Sequence, residues 1–156
     1  MARKYFKSVK TISKASEWSR ENTIIIAQSP DVANQTFGTN IIPASPTHGK
    51  RTVGNFCITL TPGMAGTNAI GVYWALVYVP QGQTTAALNI TDGQSLYEPN
   101  QYVISCGYSD GEAGPIRIRT SMKRKLNSGD FVSLLMASAG TGVKFKGVVS
   151  YSIKYN

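Results

Sequence analysis

From residue 21 onward, apolar and polar positions alternate or gather in short blocks, and no stretch carries an apolar stripe at helical spacing. The blocks are rich in β-branched and aromatic side chains and are bounded by Gly, Pro, Asn and Asp. Branched side chains fit a pleated surface, and those boundary residues favour turns, so the pattern predicts strands. They fall at 22–28, 35–42, 51–60, 70–79, 101–106, 115–121, 130–138 and 143–155. Pro80-Gln81-Gly82, Asn127-Ser128-Gly129-Asp130 and Ala139-Gly140-Thr141-Gly142 supply turn chemistry between them. Eight strands separated by long loops predict an all-β fold, a two-sheet sandwich or jelly roll rather than an α/β architecture.

The first twenty residues follow a different rule. Arg3, Lys4, Lys7, Lys10, Lys14 and Arg20 face a single acid, Glu17, for a net charge of +5. Arg3, Lys7, Lys10 and Lys14 recur at spacings of 4, 3 and 4, and Tyr5, Val9 and Ile12 at 4 and 3. In a helix these would form a basic stripe and an apolar stripe. The segment is expected to be a basic arm, disordered when free and helical when bound. The division is therefore 1–20, arm, and 21–156, β domain.

Composition sharpens this picture. A chain of 156 residues makes one domain, and 42% hydrophobic residues suffice for its core. Charged residues are only 15%, where about 25% is usual. Fifteen Ser and fourteen Thr fill the gap, which hints that much of the surface does not face water. The net charge of +8 attracts polyanions. No apolar run is long enough to span a membrane, and the first twenty residues lack the apolar centre of a signal peptide. Asn34-Gln35-Thr36 and Asn89-Ile90-Thr91 match the glycosylation sequon and are expected to be chance matches. Cys57 and Cys106 lie inside apolar strand-like runs and are expected to be small buried hydrophobes with free thiols. His48 is the only histidine, so the clustered Cys and His ligands of a zinc site are missing, and no metal or other cofactor is expected.

Catalytic motifs fare poorly. Gly107-Tyr108-Ser109-Asp110-Gly111 fits G-x-S-x-G, but no helical pattern follows it and the sole His lies upstream. The hydrolase arrangement needs both a helix after the serine and a His downstream of it. A turn explains the same letters. Gly140-Thr141-Gly142-Val143-Lys144 lacks the spacing of a phosphate-binding loop. Glu98, Asp110 and Glu112 are scattered over polar loops. No nucleophile, base and orienting group come together, so enzymatic activity is not expected.

The remaining features are basic. Arg117 and Arg119 alternate on one strand and so share a face, and Lys123, Arg124 and Lys125 follow. Lys144, Lys146 and Lys154 share a parity on the last strand. With the arm residues Arg3, Lys4, Lys7, Lys10, Lys14 and Arg20, the set Arg117, Arg119, Lys123, Arg124 and Lys125 is the candidate nucleic-acid-binding surface. Lys and Arg contacts to phosphate carry affinity without sequence specificity, and no sequence-reading module is visible.

Five segments then make a resemblance specific. Val72-Tyr73-Trp74-Ala75-Leu76-Val77-Tyr78-Val79-Pro80-Gln81-Gly82 resembles the "WALVYVP-x-G" stretch of capsid proteins from the circovirus-like, Rep-encoding single-stranded DNA viruses. The run 95–104, SLYEPNQYVI, resembles their "LYEPNQ-x-V" segment; 113–118, AGPIRI, resembles "AGPIR"; and 124–130, RKLNSGD, resembles "R-x-LNSGD". The run 147–153, GVVSYSI, resembles their closing strand. The matches lie in order over about residues 70–155. One departure is the arm, short and lysine-rich here, long and arginine-rich in circoviruses.

The resemblance implies a single eight-stranded viral jelly roll. It implies self-assembly into a small icosahedral shell of about 60 copies in equivalent positions. It further implies packaging of circular single-stranded DNA, a location in the virion with the host nucleus as a compartment for assembly, a host receptor it does not identify, and no membrane partner. In that jelly roll Cys57 and Cys106 would sit on strands separated by a third, too far apart for a disulfide. Two other readings stay open on the residues themselves: a capsid protein of a small RNA or satellite virus, and a soluble carbohydrate-binding jelly-roll lectin.

Overall fold

A computed structural model describes residues 17–63, 71–110 and 114–156. The described residues form nine strands: β1 (Ser19–Gln28), β2 (Thr36–Ile42), β3 (Arg51–Pro62), β4 (Val72–Val79), β5 (Val103–Ser109), β6 (Ile116–Thr120), β7 (Arg124–Leu126), β8 (Phe131–Ser138) and β9 (Lys144–Tyr155). A single 3₁₀ turn, Asn100–Tyr102, precedes β5. The strands form two antiparallel sheets. Sheet A has the order β1-β9-β3-β6, with β7 also on β3, and sheet B the order β2-β8-β4-β5. Apart from the neighbours β4–β5 and β6–β7, consecutive strands cross between the sheets, which makes the molecule a jelly-roll sandwich. All eight expected strands are present, and β1 starts at Ser19, inside the segment assigned to the arm.

The ninth strand has a local cause. β6 and β7 lie end to end along β3: Leu60 to Phe56 pair with Ile116 to Thr120, and Val53 to Arg51 with Arg124 to Leu126. Between them β3 bulges. Asn55 has φ 52°, and the register with β9 also shifts between Gly54 and Cys57. A Cβ on Gly54 would sit 3.0 Å from the Met122 oxygen, so only glycine lets the 121–123 link cross so closely. The bulge flips the parity of β3, which buries Arg51 and Val53 before it and Phe56, Ile58 and Leu60 after it.

The core follows from alternation. Ile25 and Ala27 of β1, Phe145, Val149, Tyr151 and Ile153 of β9, and Ile116 and Ile118 of β6 point inward from sheet A. They meet Val72, Trp74, Leu76, Ile104, Val132, Leu134 and Met136 from sheet B. Each large side chain contributes about 1.5–3 kcal/mol by leaving water. At Gly147 an added Cβ would run into the Thr59 carbonyl group, so the β3–β9 ladder closes only around a glycine.

Sheet B is covered on its outer side as well. The connection 80–102 crosses it and buries Leu88 and Tyr97 on Ala75, Val77, Val79, Leu135 and Ala137. The Leu88 amide donates to Thr36 Oγ1 at 2.8 Å, and the Ala86 amide to the Tyr97 hydroxyl at 3.3 Å. Burial on both faces explains why β4 and β8 read as nearly unbroken apolar runs.

The cysteines depart from expectation. Both thiols are free, but Cys57 is half-buried and Cys106 exposed, each with outward parity on its strand. They lie on opposite sheets, β3 and β5, and so on opposite sides of the sandwich rather than on strands of one sheet.

Candidate nucleic-acid interface

Charge is divided between the sheets. The strands of sheet A carry Arg20, Arg51, Arg117, Arg119, Arg124, Lys125, Lys144, Lys146 and Lys154 against one acid, Glu21. The strands of sheet B, TFGTNII, VYWALVYV, VISCGYS and FVSLLMAS, carry no charged residue. The 80–102 connection that covers sheet B adds Asp92 and Glu98 and no base.

Register assembles most of these cations on one surface. On the outer side of sheet A, Ile24 lies beside Val148, Val148 beside Thr59, and Thr59 beside Arg117. The next row is Asn22, Ser150, Cys57 and Arg119. Ile26, Lys146 and Thr61 form the row on the other side, and Lys154, Thr52 and Lys125 lie beyond the bulge. Four strands at about 4.8 Å spacing make this face about 14 Å wide, and Lys144 to Lys154 spans about 33 Å along β9. No carboxylate shares its outward parity on the strands. Ile24 (78% exposed) and Ile26 (57%) form an apolar strip along the free edge of β1.

The candidate residues divide accordingly. Arg117 and Arg119 are exposed side by side on β6, and Lys125 is exposed on β7. Arg20 lies on the same face, where its Nε donates to Ser150 Oγ at 2.9 Å and Ser150 in turn donates to Asn22 Oδ1 at 2.6 Å. Lys123 sits over the Trp18 ring, its Nζ 5.1 Å from the centroid, so the chain enters β1 beside the basic face. Arg124 is drawn away. Its guanidinium stacks on Tyr78 at 4.6 Å and donates to the Gln101 carbonyl at 3.2 Å. Arg3, Lys4, Lys7, Lys10 and Lys14, with the helical stripes expected of them, lie outside the described residues.

A buried polar centre stands next to Arg124, and sequence reasoning did not single it out. Asp130 Oδ2 accepts from the Tyr78 hydroxyl at 2.9 Å and from the Asn127 amide at 2.7 Å. Its Oδ1 accepts from the Gln81 amide at 2.9 Å. Buried Arg51 donates to the Asp130 carbonyl at 3.1 Å. Tyr78, Gln101, Arg124 and Asp130 come from three of the five resembling segments, so those segments meet at one structural knot. Burial, then the hydrogen bond to Asp130 and its charge, push the Tyr78 pKa up to about 12.

Ser109, the serine of the G-x-S-x-G match, closes β5, and its Oγ accepts from Trp74 Nε1 at 3.3 Å. The lone His48 is exposed, 2.7 Å from Ser45 Oγ through Nδ1.

No protein-family model matches the chain, and no curated protein matches it. Solved structures similar to it include that of Desmodium yellow mottle tymovirus, with a TM-score of 0.38 at 13% identity over 98% of each chain. Another, from the infectious bursal disease virus Gt strain, has a TM-score of 0.34 at 10% identity, over 96% of this chain and 36% of that one. Dimeric latent PorU from Porphyromonas gingivalis gives 0.32 at 10% identity, over 92% of this chain and 13% of that one. At these scores the likenesses carry no argument about function.

Proposed function

We propose that the chain is a structural, non-enzymatic capsid subunit that assembles with copies of itself around single-stranded DNA. The carrying observation is the division of charge: a carboxylate-free basic face on sheet A, and sheet B without a charge on its strands. A closed shell has one side toward its cargo and one toward solvent, and a subunit with cations on one side fits that asymmetry. The jelly-roll topology and the five segments resembling circovirus-like capsid proteins support the same reading. Arg20, Arg117, Arg119, Lys123 and Lys125, together with arm residues Arg3, Lys4, Lys7, Lys10 and Lys14, neutralise phosphates without reading sequence. The apolar strip at Ile24 and Ile26 serves contacts between copies. The shell is a closed assembly of about 60 equivalent subunits, a virion component whose assembly compartment is the host nucleus.

Negative-stain imaging of the purified protein tests the assembly. Uniform closed particles are expected, and monomers or dimers alone across salt and protein concentration would overturn the reading. Nuclease digestion of the extracted contents decides the cargo: DNase-sensitive material supports it, and RNase-sensitive material points to a small RNA virus.

A further inference from the structure

The outer side of sheet B holds a second surface, remote from the cations. Tyr73 and Tyr108 face each other directly across β4 and β5, ring centroids 4.8 Å apart, and remain 40% and 58% exposed. The hydroxyl end of Tyr108 lies against Gly71, where an added Cβ would come within 2.7 Å of its Cζ, so the ring's pose depends on a glycine there. The pair walls an open cleft of about 370 Å³, small for a ligand site. Cys106 lies in the cleft, and Asn89, Asp92 and Gln94 line it from the 80–102 connection. The Asn89 amide bonds to the Leu96 carbonyl at 2.9 Å, and the Thr91 amide to Asn89 Oδ1 at 3.0 Å, which fixes the loop that carries them. The side chains of Asp92 and Gln94 have no hydrogen-bond partner among the described residues.

We propose that this cleft binds an uncharged sugar, one pyranose ring resting on the Tyr73–Tyr108 pair with its hydroxyls bonded to Asp92, Gln94 and Asn89. A pyranose has an apolar C–H face that suits the negative face of an aromatic ring. Its hydroxyls both donate and accept, which matches a carboxylate acceptor beside amides that do either. The charge balance selects the class. Among the described residues, Asp92 is the one charged residue lining the cleft, and no Lys or Arg lines it. Phosphate or sulfate would find a repelling carboxylate and no counter-charge, so nucleic acid and sulfated glycans do not fit. Described residues of one subunit supply every contact named, so sugar binding can be tested on isolated subunits.

The two free thiols provide the readout, since Cys106 lies in the cleft and Cys57 on the opposite sheet. Thiol alkylation of the full chain is followed by mass spectrometry at each cysteine, with glucose, galactose, mannose, N-acetylglucosamine or heparin added in turn. At least one neutral sugar should slow Cys106 saturably, by about tenfold at ten times its half-saturating concentration, and leave Cys57 unchanged. Tyr108→Ala and Asp92→Asn should each remove the protection without altering Cys57 labelling. The proposal fails if no neutral sugar protects Cys106, if both variants remain protected, or if heparin protects equally. It also fails if Cys106 reacts in isolated subunits but is already shielded in sugar-free particles, which would assign the face to a neighbouring copy.

Discussion

The Tyr78 hydroxyl donates to Asp130 Oδ2 at 2.9 Å and so ties the end of β4 to the 127–130 turn that leads into β8. The same carboxylate accepts from the Asn127 and Gln81 amides. Three donors on one buried acid make a node that cannot lose its acceptor cheaply.

Asp130→Ala is therefore expected to destabilise the fold by about 3 kcal/mol or more, because the donors around a buried carboxylate lose their partner. Asp130→Asn keeps one carbonyl acceptor and should cost less. Urea unfolding with an unchanged slope checks both values, and an Asp130→Ala loss below that of Asp130→Asn would sink the account.

Tyr78 also sets a pH dependence. Its pKa rises from 10 to about 12, first through burial and then through Asp130. A raised phenol pKa means that the folded state favours the neutral form. This stabilisation is complete below pH 10 and is lost as the pH climbs from 10 through 12. Burial shifts Tyr151 in the same direction. Stability measured from pH 9 to 12 should fall, and Tyr78→Phe should fall less steeply because its ring has no proton to lose. Parallel curves for the two proteins would rule Tyr78 out as the source.

Arg117 and Arg119 are exposed and, among the described residues, make no bond that an exchange would orphan. Replacing both with Gln should leave the unfolding free energy within about 0.5 kcal/mol of the parent. If each contacts a phosphate, the slope of log affinity for oligo-dT against log salt should shrink by about 1.4. Fluorescence anisotropy over a salt series reads this directly, and an unchanged slope moves the interface elsewhere.

Deleting residues 2–15 spares both Trp18, whose ring lies under Lys123, and β1, which begins at Ser19. The jelly roll should fold, with its circular dichroism retained, while packaged nucleic acid drops sharply. Equal packaging by the truncated protein would shift the binding role to the sheet A face.

The strands were legible because each is a local run of branched and aromatic residues with turn formers at its ends. β7 was not, because Arg124–Leu126 has no strand character of its own and pairs only because β3 lies alongside it. The cysteines misled for a related reason. Apolar neighbours suggested burial, but parity decided it, and Cys57 follows a bulge that shifts parity by one. Arg117 and Arg119 could be read as one face from spacing alone. That Lys146 and Arg20 join them depends on strand order, a non-local property. The 127–130 turn was visible in the sequence, whereas its bond to Tyr78, more than fifty residues upstream, was not.

In the proposed shell, the division of charge between the sheets couples cargo to assembly. A net charge of +8 keeps free subunits apart by mutual repulsion, and that charge belongs to the arm and to one side of the sandwich. A polyanion laid on that side discharges the repulsion without covering sheet B or the lateral rims. Subunits gathered on a strand thus lose their reason to stay separate at the moment they are concentrated on it. At low salt, shell formation should wait for nucleic acid. At high salt, where the Debye length shrinks to about 3 Å at 1 M, small ions perform the same discharge and empty shells should form.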